Sequence, residues 1–129
     1  MTTFKSPDVI VNKTSEELFQ LIGNLNNLKE IMPAEIEDYE STETTCSFKI
    51  QGIPKLTLEI SERIKFSKIS LIAKDSQVPL TLHCFINKSG NKCQARIEIE
   101  AELNFMMKMM VEKPITQFLN IFATKMKNI

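Results

Sequence analysis

From Cys93 to Leu103 the chain alternates without exception. Cys93, Ala95, Ile97, Ile99, Ala101 and Leu103 are apolar, and the Gln94, Arg96, Glu98, Glu100 and Glu102 between them are polar or charged. Successive side chains of a strand point to opposite faces, so this segment is one long strand with a dry side and a wet side. Antiparallel sheets with one solvated face read this way, and the dry face has to be covered by a second layer. The one later segment long enough to cover it is the apolar helix from Phe105 to Met126.

The preceding segments carry the same period and fit together as hairpins. A turn at Gly52-Ile53-Pro54 sets Ile50 opposite Leu56, Phe48 opposite Leu58 and Cys46 opposite Ile60. A two-residue turn at Ser89-Gly90 sets Ile86 against Cys93, Cys84 against Ala95, Leu82 against Ile97 and Leu80 against Ile99. In both hairpins every apolar residue meets an apolar partner, which is the condition for a shared buried face. Between them, Leu56, Leu58 and Ile60 face Ile69, Leu71 and Ala73 across a connection from Ile64 to Ser67 that contains neither Gly nor Pro.

Ahead of these strands, Thr3 to Val11 reads as a first strand, strongest at Val9-Ile10-Val11, with Pro7 giving an edge position or an irregular start. Thr14-Ser15-Glu16-Glu17 has the form of a capping box and opens a short helix with Leu18, Phe19, Leu21 and Ile22, stopped by Gly23. Asn24 can cap a second short helix carrying Leu25, Leu28, Ile31 and Met32, which Pro33 ends. Ile36 to Tyr39 is a weak strand within the one charge run of the chain, Glu35, Glu37, Asp38, Glu40 and Glu43, as a solvated edge requires.

A length of 129 residues fits a single domain spanning 1–129, large enough to fold on its own core without a metal or disulfide. Apolar residues at 43% and charged residues at 25% are the proportions of an ordinary soluble globular protein. The 16 basic and 16 acidic side chains cancel, and no stretch joins Lys or Arg to aromatic residues as a nucleic-acid surface would. No apolar run reaches signal-peptide length or the ~20 residues of a membrane span, so a cytoplasmic protein is expected. Cys46, Cys84 and Cys93 show neither CxxC spacing nor a His at metal-ligand spacing, and are expected to be reduced and buried, with no metal or cofactor.

The terminal helix is broader than a single sheet contact needs. At about 100° per residue, Met106, Met107, Met109, Met110 and Val111 spread over roughly 200°. Their arc is rotated by about 90° from that of Pro114, Ile115, Phe118, Ile121 and Phe122. Pro114 removes a helical hydrogen bond and bends the axis, so the two halves are expected to meet different partners. The second half covers the sheet; the first meets the short helices, a ligand entrance or a second subunit, the last giving a homodimer through the Met-rich turns. Methionine side chains adapt to irregular surfaces and suit loose core packing as well as variable apolar ligands.

Strand, two short helices, six alternating strands and one long helix is the order of the helix-grip fold, an α+β architecture of about seven strands wrapped on a C-terminal helix. On this order, and on the capped Thr14 to Ile22 helix, the Asn24 to Met32-Pro33 segment and the Met-rich stretch through Lys113-Pro114 to Phe122, the chain resembles the START-related, birch-pollen-allergen-like superfamily of SRPBCC proteins over its whole length. It looks like a small bacterial-type member of no assigned subfamily. The resemblance implies a curved sheet gripping the helix around a cavity that in many members binds apolar or amphipathic molecules; the superfamily also holds aromatases, cyclases, dehydratases and chaperone-binding modules. The chain is shorter than the plant members and lacks a glycine-rich loop after its second helix, so their ligand habits do not carry over.

Under that implied geometry the candidate cavity lining is Phe48, Leu58, Leu71, Leu82, Cys84 and Ile97 from the sheet, with Met106, Met107, Met110, Val111, Pro114 and Phe118 from the helix. None of the predicted inward sheet residues is an acid, His, Lys or Arg, whereas general acid–base catalysis needs such a group within reach of substrate. Asn104, Lys108, Gln117 and Tyr39 are the polar groups able to reach in from other elements. His83, the single histidine, has the parity of the wet face, opposite Arg96 with Glu98 nearby, and is expected to be a solvated surface residue without a cavity to serve. Buried thiols among aliphatics are poor thiolates, and no catalytic residue is assigned. The leading expectation is a non-enzymatic binding protein for a lipid-like or polyketide-like ligand held between sheet and helix. The alternatives are a cyclase or dehydratase of the same superfamily, and a protein-interaction module.

Overall fold

The computed structural model describes residues 2–34, 36–50, 55–73 and 79–129. Eight antiparallel strands form one curved sheet: β1 (Thr2–Lys5), β2 (Val9–Val11), β3 (Glu37–Ser41), β4 (Thr45–Lys49), β5 (Leu56–Ile64), β6 (Lys68–Ala73), β7 (Leu80–Ser89) and β8 (Lys92–Ala101). Between β2 and β3 lie helix α1 (Ser15–Ile22) and a 3-10 segment (Leu25–Ile31); helix α2 (Phe105–Lys127) follows β8. From β3 to β8 the strands are neighbours in sequence order, and β1 and β2 both close the far edge on β8. This is the α+β arrangement that the alternation demanded.

The expected first strand is two strands because of Ser6-Pro7. Phe4 lies opposite Ile99 and Val11 opposite Cys93, pairings that differ by one residue in register. The one-residue shift allows both Phe4 and Val11 to be buried although one position is even and the other odd. Ser6 holds the break together: its N–H donates to the Ile97 carbonyl at 2.8 Å, and its Oγ accepts from the Ile97 N–H at 2.9 Å.

Both predicted hairpin faces are right and both registers are two residues off. Phe48 lies opposite Leu56 and Cys46 opposite Leu58, in place of Leu58 and Ile60. In the last hairpin Ile86 meets Ala95, Cys84 meets Ile97, Leu82 meets Ile99 and Leu80 meets Ala101. A shift of two keeps every side chain on its own face, so polarity alone cannot detect it. For the second hairpin the turn explains the shift: Ser89 pairs with Lys92, leaving Gly90-Asn91 as the loop, and Gly90 takes φ 64°. The proposed turn residues Gly52-Ile53-Pro54 lie outside the described residues. Between β5 and β6, Ile60 meets Leu71 and Leu58 meets Ala73, and a bulge then places Ile69 opposite Arg63. The turn lacking Gly is made by Phe66 at φ 63°, whose ring packs edge-on to Phe19 with centroids 5.7 Å apart.

The local signals of the helices hold. The Thr14 Oγ1 accepts from the Glu17 N–H at 3.1 Å, and the Glu17 carboxylate accepts from the Thr14 N–H at 3.0 Å. The second short helix is capped by Asn24 but winds as a 3-10 helix over its 7 residues, and Met32 before Pro33 is extended. Its Leu25, Leu28 and Ile31 are buried all the same. In α2 the second half covers the sheet, burying Ile115, Phe118, Leu119, Phe122, Ala123 and Met126. The first half does not join the core in the same way: Phe105, Met106, Met109 and Met110 are 79%, 72%, 65% and 67% exposed.

No helix among the described residues is long and apolar enough to cross a membrane, and none of their His, Cys, Asp and Glu side chains form a metal-binding group.

Because Ile97 is buried at the centre of the dry face, Ile97→Ala should lower unfolding free energy by ~2–5 kcal/mol. Glu102→Ala, at an exposed position beyond the end of β8, should stay within ~0.5 kcal/mol in the same denaturant titration. Equal losses would mean that the two faces of the sheet are exchanged.

Candidate functional site: a cleft beside the long helix

An open cleft of about 560 Å³ runs beside the middle of α2. Its volume falls within the range of small-molecule sites, about 300–1,000 Å³. One wall comes from the end of the 3-10 segment and the chain after it. The extended Met32 swings Pro33 and Ile36 to the rim, and Ile50 past the end of β4 adds a third apolar group. The other wall is one face of α2: Lys113, Pro114, Gln117, Phe118, Asn120 and Ile121. These positions recur at helical spacing, so they share one side of the helix.

A run of aromatic rings fixes the floor. Tyr39 stacks on Phe48 with centroids 6.1 Å apart, Phe48 on Phe118 at 5.9 Å, and Phe118 tilts against Phe122 at 5.8 Å. The Tyr39 hydroxyl donates to the Leu25 carbonyl at 2.7 Å, which anchors the run to the 3-10 segment. Phe118 therefore cannot swing away without disturbing three packed rings. On the far side of Phe122 a second hollow is lined by Ile22, Leu25, Leu28, Ile69, Leu71, Leu82, Cys84 and Ile97. It measures about 20 Å³, close to the volume of a single water, and its lining is wholly apolar. Directly between sheet and helix the interior is filled by side chains, and open space lies to the side, in the cleft against α2 and in a more polar surface hollow of about 620 Å³ lined by Thr14, Glu16, Phe66, Ser67 and Lys88 among others.

The twelve candidate lining residues divide accordingly. Pro114 and Phe118 line the cleft; Leu71, Leu82, Cys84 and Ile97 surround the small hollow; Phe48 lies in the ring stack and Leu58 in the core. Met106, Met107, Met110 and Val111 line neither hollow. Met110 and Met106 stand about one turn and about two turns before Pro114, and so extend outward the helix face that lines the cleft. Of the polar groups able to reach in, Gln117 lines the cleft. The Asn104 Oδ1 instead caps α2 by accepting from the Met107 N–H at 2.8 Å, Tyr39 is held by Leu25, and Lys108 is exposed. Lys113 and Asn120 went unremarked as site residues. Their signal was present in the spacing 113, 117, 120, which draws one polar line along a helix otherwise apolar on that side.

His83 is not the solvated residue expected. The two-residue register shift puts it opposite Glu98 instead of Arg96, and its ring is held on both sides: Nδ1 lies 2.6 Å from Ser70 Oγ and Nε2 lies 3.2 Å from Glu100 Oε1. Glu98, expected to be wet, is only 8% exposed, because the Arg96 guanidinium folds over it with an Nε–Oε2 distance of 2.6 Å and also reaches Asp8. Arg96 in turn covers the Phe85 ring, 4.9 Å from its centroid. The order serine, histidine, carboxylate resembles a nucleophile relay. Ser70 is 2% exposed and lines none of the described hollows, so no substrate carbonyl can reach its hydroxyl. This network binds the outer face together.

The three cysteines are free and buried. Burial pushes the Cys46 thiol up to about 11 and the Cys84 thiol up to about 12, and raises that of Cys93. Thiols so placed stay protonated and are poor nucleophiles.

No protein-family model and no curated protein matches the sequence. Solved structures match it closely in shape. A START superfamily protein from Mycobacterium smegmatis superposes with a TM-score of 0.76 over 98% of this chain and 94% of that one, at 13% identity. Norcoclaurine synthase from Thalictrum flavum gives 0.71 over 98% and 84%, at 12% identity. The di-domain ARO/CYC BexL from the BE-7585A biosynthetic pathway gives 0.75 at 13% identity, covering 99% of this chain and 46% of that one. The chain has the START-related, birch-pollen-allergen-like helix-grip fold of these proteins.

A thiol whose pKa is raised from about 9 to about 12 by folding makes the native state hold a proton that the unfolded state releases. Its stabilisation is complete below pH 9 and is lost as pH climbs toward 12. Unfolding free energy should therefore fall in that window, by at most about 1.4 kcal/mol per pH unit for each thiol. Cys84→Ala should flatten the slope measured by denaturant titration at several pH values.

Proposed function

We propose that the chain, acting as one unit over residues 1–129, binds a small apolar or amphipathic molecule, lipid-like or polyketide-like, in the cleft beside α2. The observation that carries this reading is a cleft of about 560 Å³ whose floor is a fixed phenylalanine and whose polar groups lie along one edge. Sites for such ligands are largely preformed, mostly apolar and fitted with a few placed polar groups. The exposed Met106 and Met110 offer a soft extension of the same face, able to follow a ligand longer than the cleft. The unpaired, buried cysteines are in keeping with a reducing, cytoplasmic setting.

A cyclase or dehydratase would need acid or base groups around its substrate. Lys113 is the only titratable side chain among the described lining residues, which favours binding over catalysis.

The exposed Phe105, Met106, Met109 and Met110 also support pairing with a second copy of the chain through the first turns of α2. Sedimentation velocity should then show a weak, concentration-dependent dimer that the double variant Met106→Lys, Met110→Lys reduces to monomer. A monomer at all concentrations removes this pairing and leaves the ligand reading intact.

The ligand reading is tested with a panel of fatty acids, sterols, isoprenoids and aromatic polyketide-like compounds. A member that binds should raise the unfolding temperature, with stabilisation approaching ~2.7 kcal/mol at a hundred times its Kd. Ile121→Trp, which fills the cleft from α2, should abolish the shift while leaving the fold intact by circular dichroism. A panel without any shift at saturating concentration overturns the reading.

A further inference from the structure

The polar and apolar groups of the cleft are not mixed but sorted. Pro33, Ile36, Ile50, Phe118 and Ile121 supply apolar wall and floor, and the side chains with strong donors, Lys113, Gln117 and Asn120, follow one another along α2. Spacings of four and three residues keep them in one line down the helix. Lys113 is the single charge among the nine described lining residues. The ion pairs among the described residues are Lys68–Glu62, His83–Glu100, Arg96–Asp8 and Arg96–Glu98, and none takes Lys113. The positions three and four residues away on its helix are Met109, Met110, Thr116 and Gln117, with no carboxylate among them. Among the described residues the Lys113 ammonium thus has no ion-pair partner at the edge of an apolar cleft, its four-carbon stem able to lie along the wall while the charge reaches the opening.

Resting on the reading of the cleft as a binding site, we propose that its occupant is a single-chain amphiphile with a carboxylate head, the head held by the Lys113 ammonium with amide donors from Gln117 and Asn120, and the tail lying over Phe118 and Ile121. One ammonium is a point charge that balances one negative charge. A phosphate monoester, with close to two charges and three acceptor oxygens, would leave charge unbalanced here and is more often met by guanidinium pairs. A neutral sterol or isoprenoid would find no partner for the ammonium in the cleft, which would then stay in water at the rim.

The test uses dodecanoate, dodecanol and dodecyltrimethylammonium, matched in tail length and kept below their micelle concentrations, with binding read by calorimetry on the full chain. Dodecanoate should bind about tenfold more tightly than dodecanol, and the cation least. Lys113→Met should erase the advantage of dodecanoate over dodecanol, while Lys113→Arg should keep it. Lys113 is exposed, so these variants should fold, as circular dichroism would verify. If dodecanol and dodecanoate bind equally and Lys113→Met alters neither, the carboxylate assignment is wrong and the cleft reading stands. If none of the three binds and the wider panel is silent as well, the cleft reading fails and takes this assignment with it.

Discussion

One face of an eight-stranded sheet has to be kept from water, and the second half of α2 contributes six buried side chains to that cover, beside Leu18 and Ile22 of α1 and Leu25, Leu28 and Ile31 of the 3-10 segment. Burying apolar surface is worth roughly 25 cal/mol per Å², so this shared cover is what holds the layers together. It also determines where a ligand can go. Once Ile115, Leu119, Phe122 and Met126 are committed to the sheet, no ligand-sized space remains beneath them. The helix face turned roughly 150° away, at about 100° per residue, remains free to line an opening, and the cleft lies there. Phe118 belongs to both regions, packed on Phe48 within the core and edging the floor of the cleft.

What could be read from residue order follows from the kind of periodicity involved. Which face of β4 to β8 is buried was legible because a period of two distinguishes faces absolutely. Register was not, because a shift by two residues leaves the pattern unchanged, and only the positive φ of Gly90 selects between the alternatives in the last hairpin. The capping residues Thr14, Asn24 and Asn104 act on their own neighbours, within the reach of sequence reasoning. Pro7 signals an irregularity locally, but the register shift at Ser6-Pro7 depends on Ile97, 91 residues away, and is not legible there. In the cleft, Pro114 and Phe118 were readable from the apolar arc of the helix, and Lys113, Gln117 and Asn120 from their spacing. Pro33, Ile36 and Ile50 come together only through the fold. The exposure of Met106, Met109 and Met110 was not legible, because an apolar arc does not say whether anything covers it.

The outer face shows a second limit of pattern reading. Alternation marks residues that avoid the core, which is not the same as residues in contact with solvent. Arg96, Glu98, His83, Ser70 and Glu100 instead satisfy one another at short range, and Phe85 lies under two cations, Lys68 and Arg96. A strand that carries long charged side chains can dry its own polar face, since their stems cover what their heads do not.

Both edges of the sheet are spoiled for further strand pairing. At one, Ser6-Pro7 interrupts the ladder and uses a side-chain oxygen where a carbonyl would stand. At the other, β3 carries Asp38 at φ 56° with its register broken between Glu37 and Glu40, beside further carboxylates. Unblocked edges are templates on which a second sheet or an aggregate can grow. An open sheet with both borders closed in this way can stay in concentrated solution without polymerising edge to edge, even while a row of methionines lies bare on its helix.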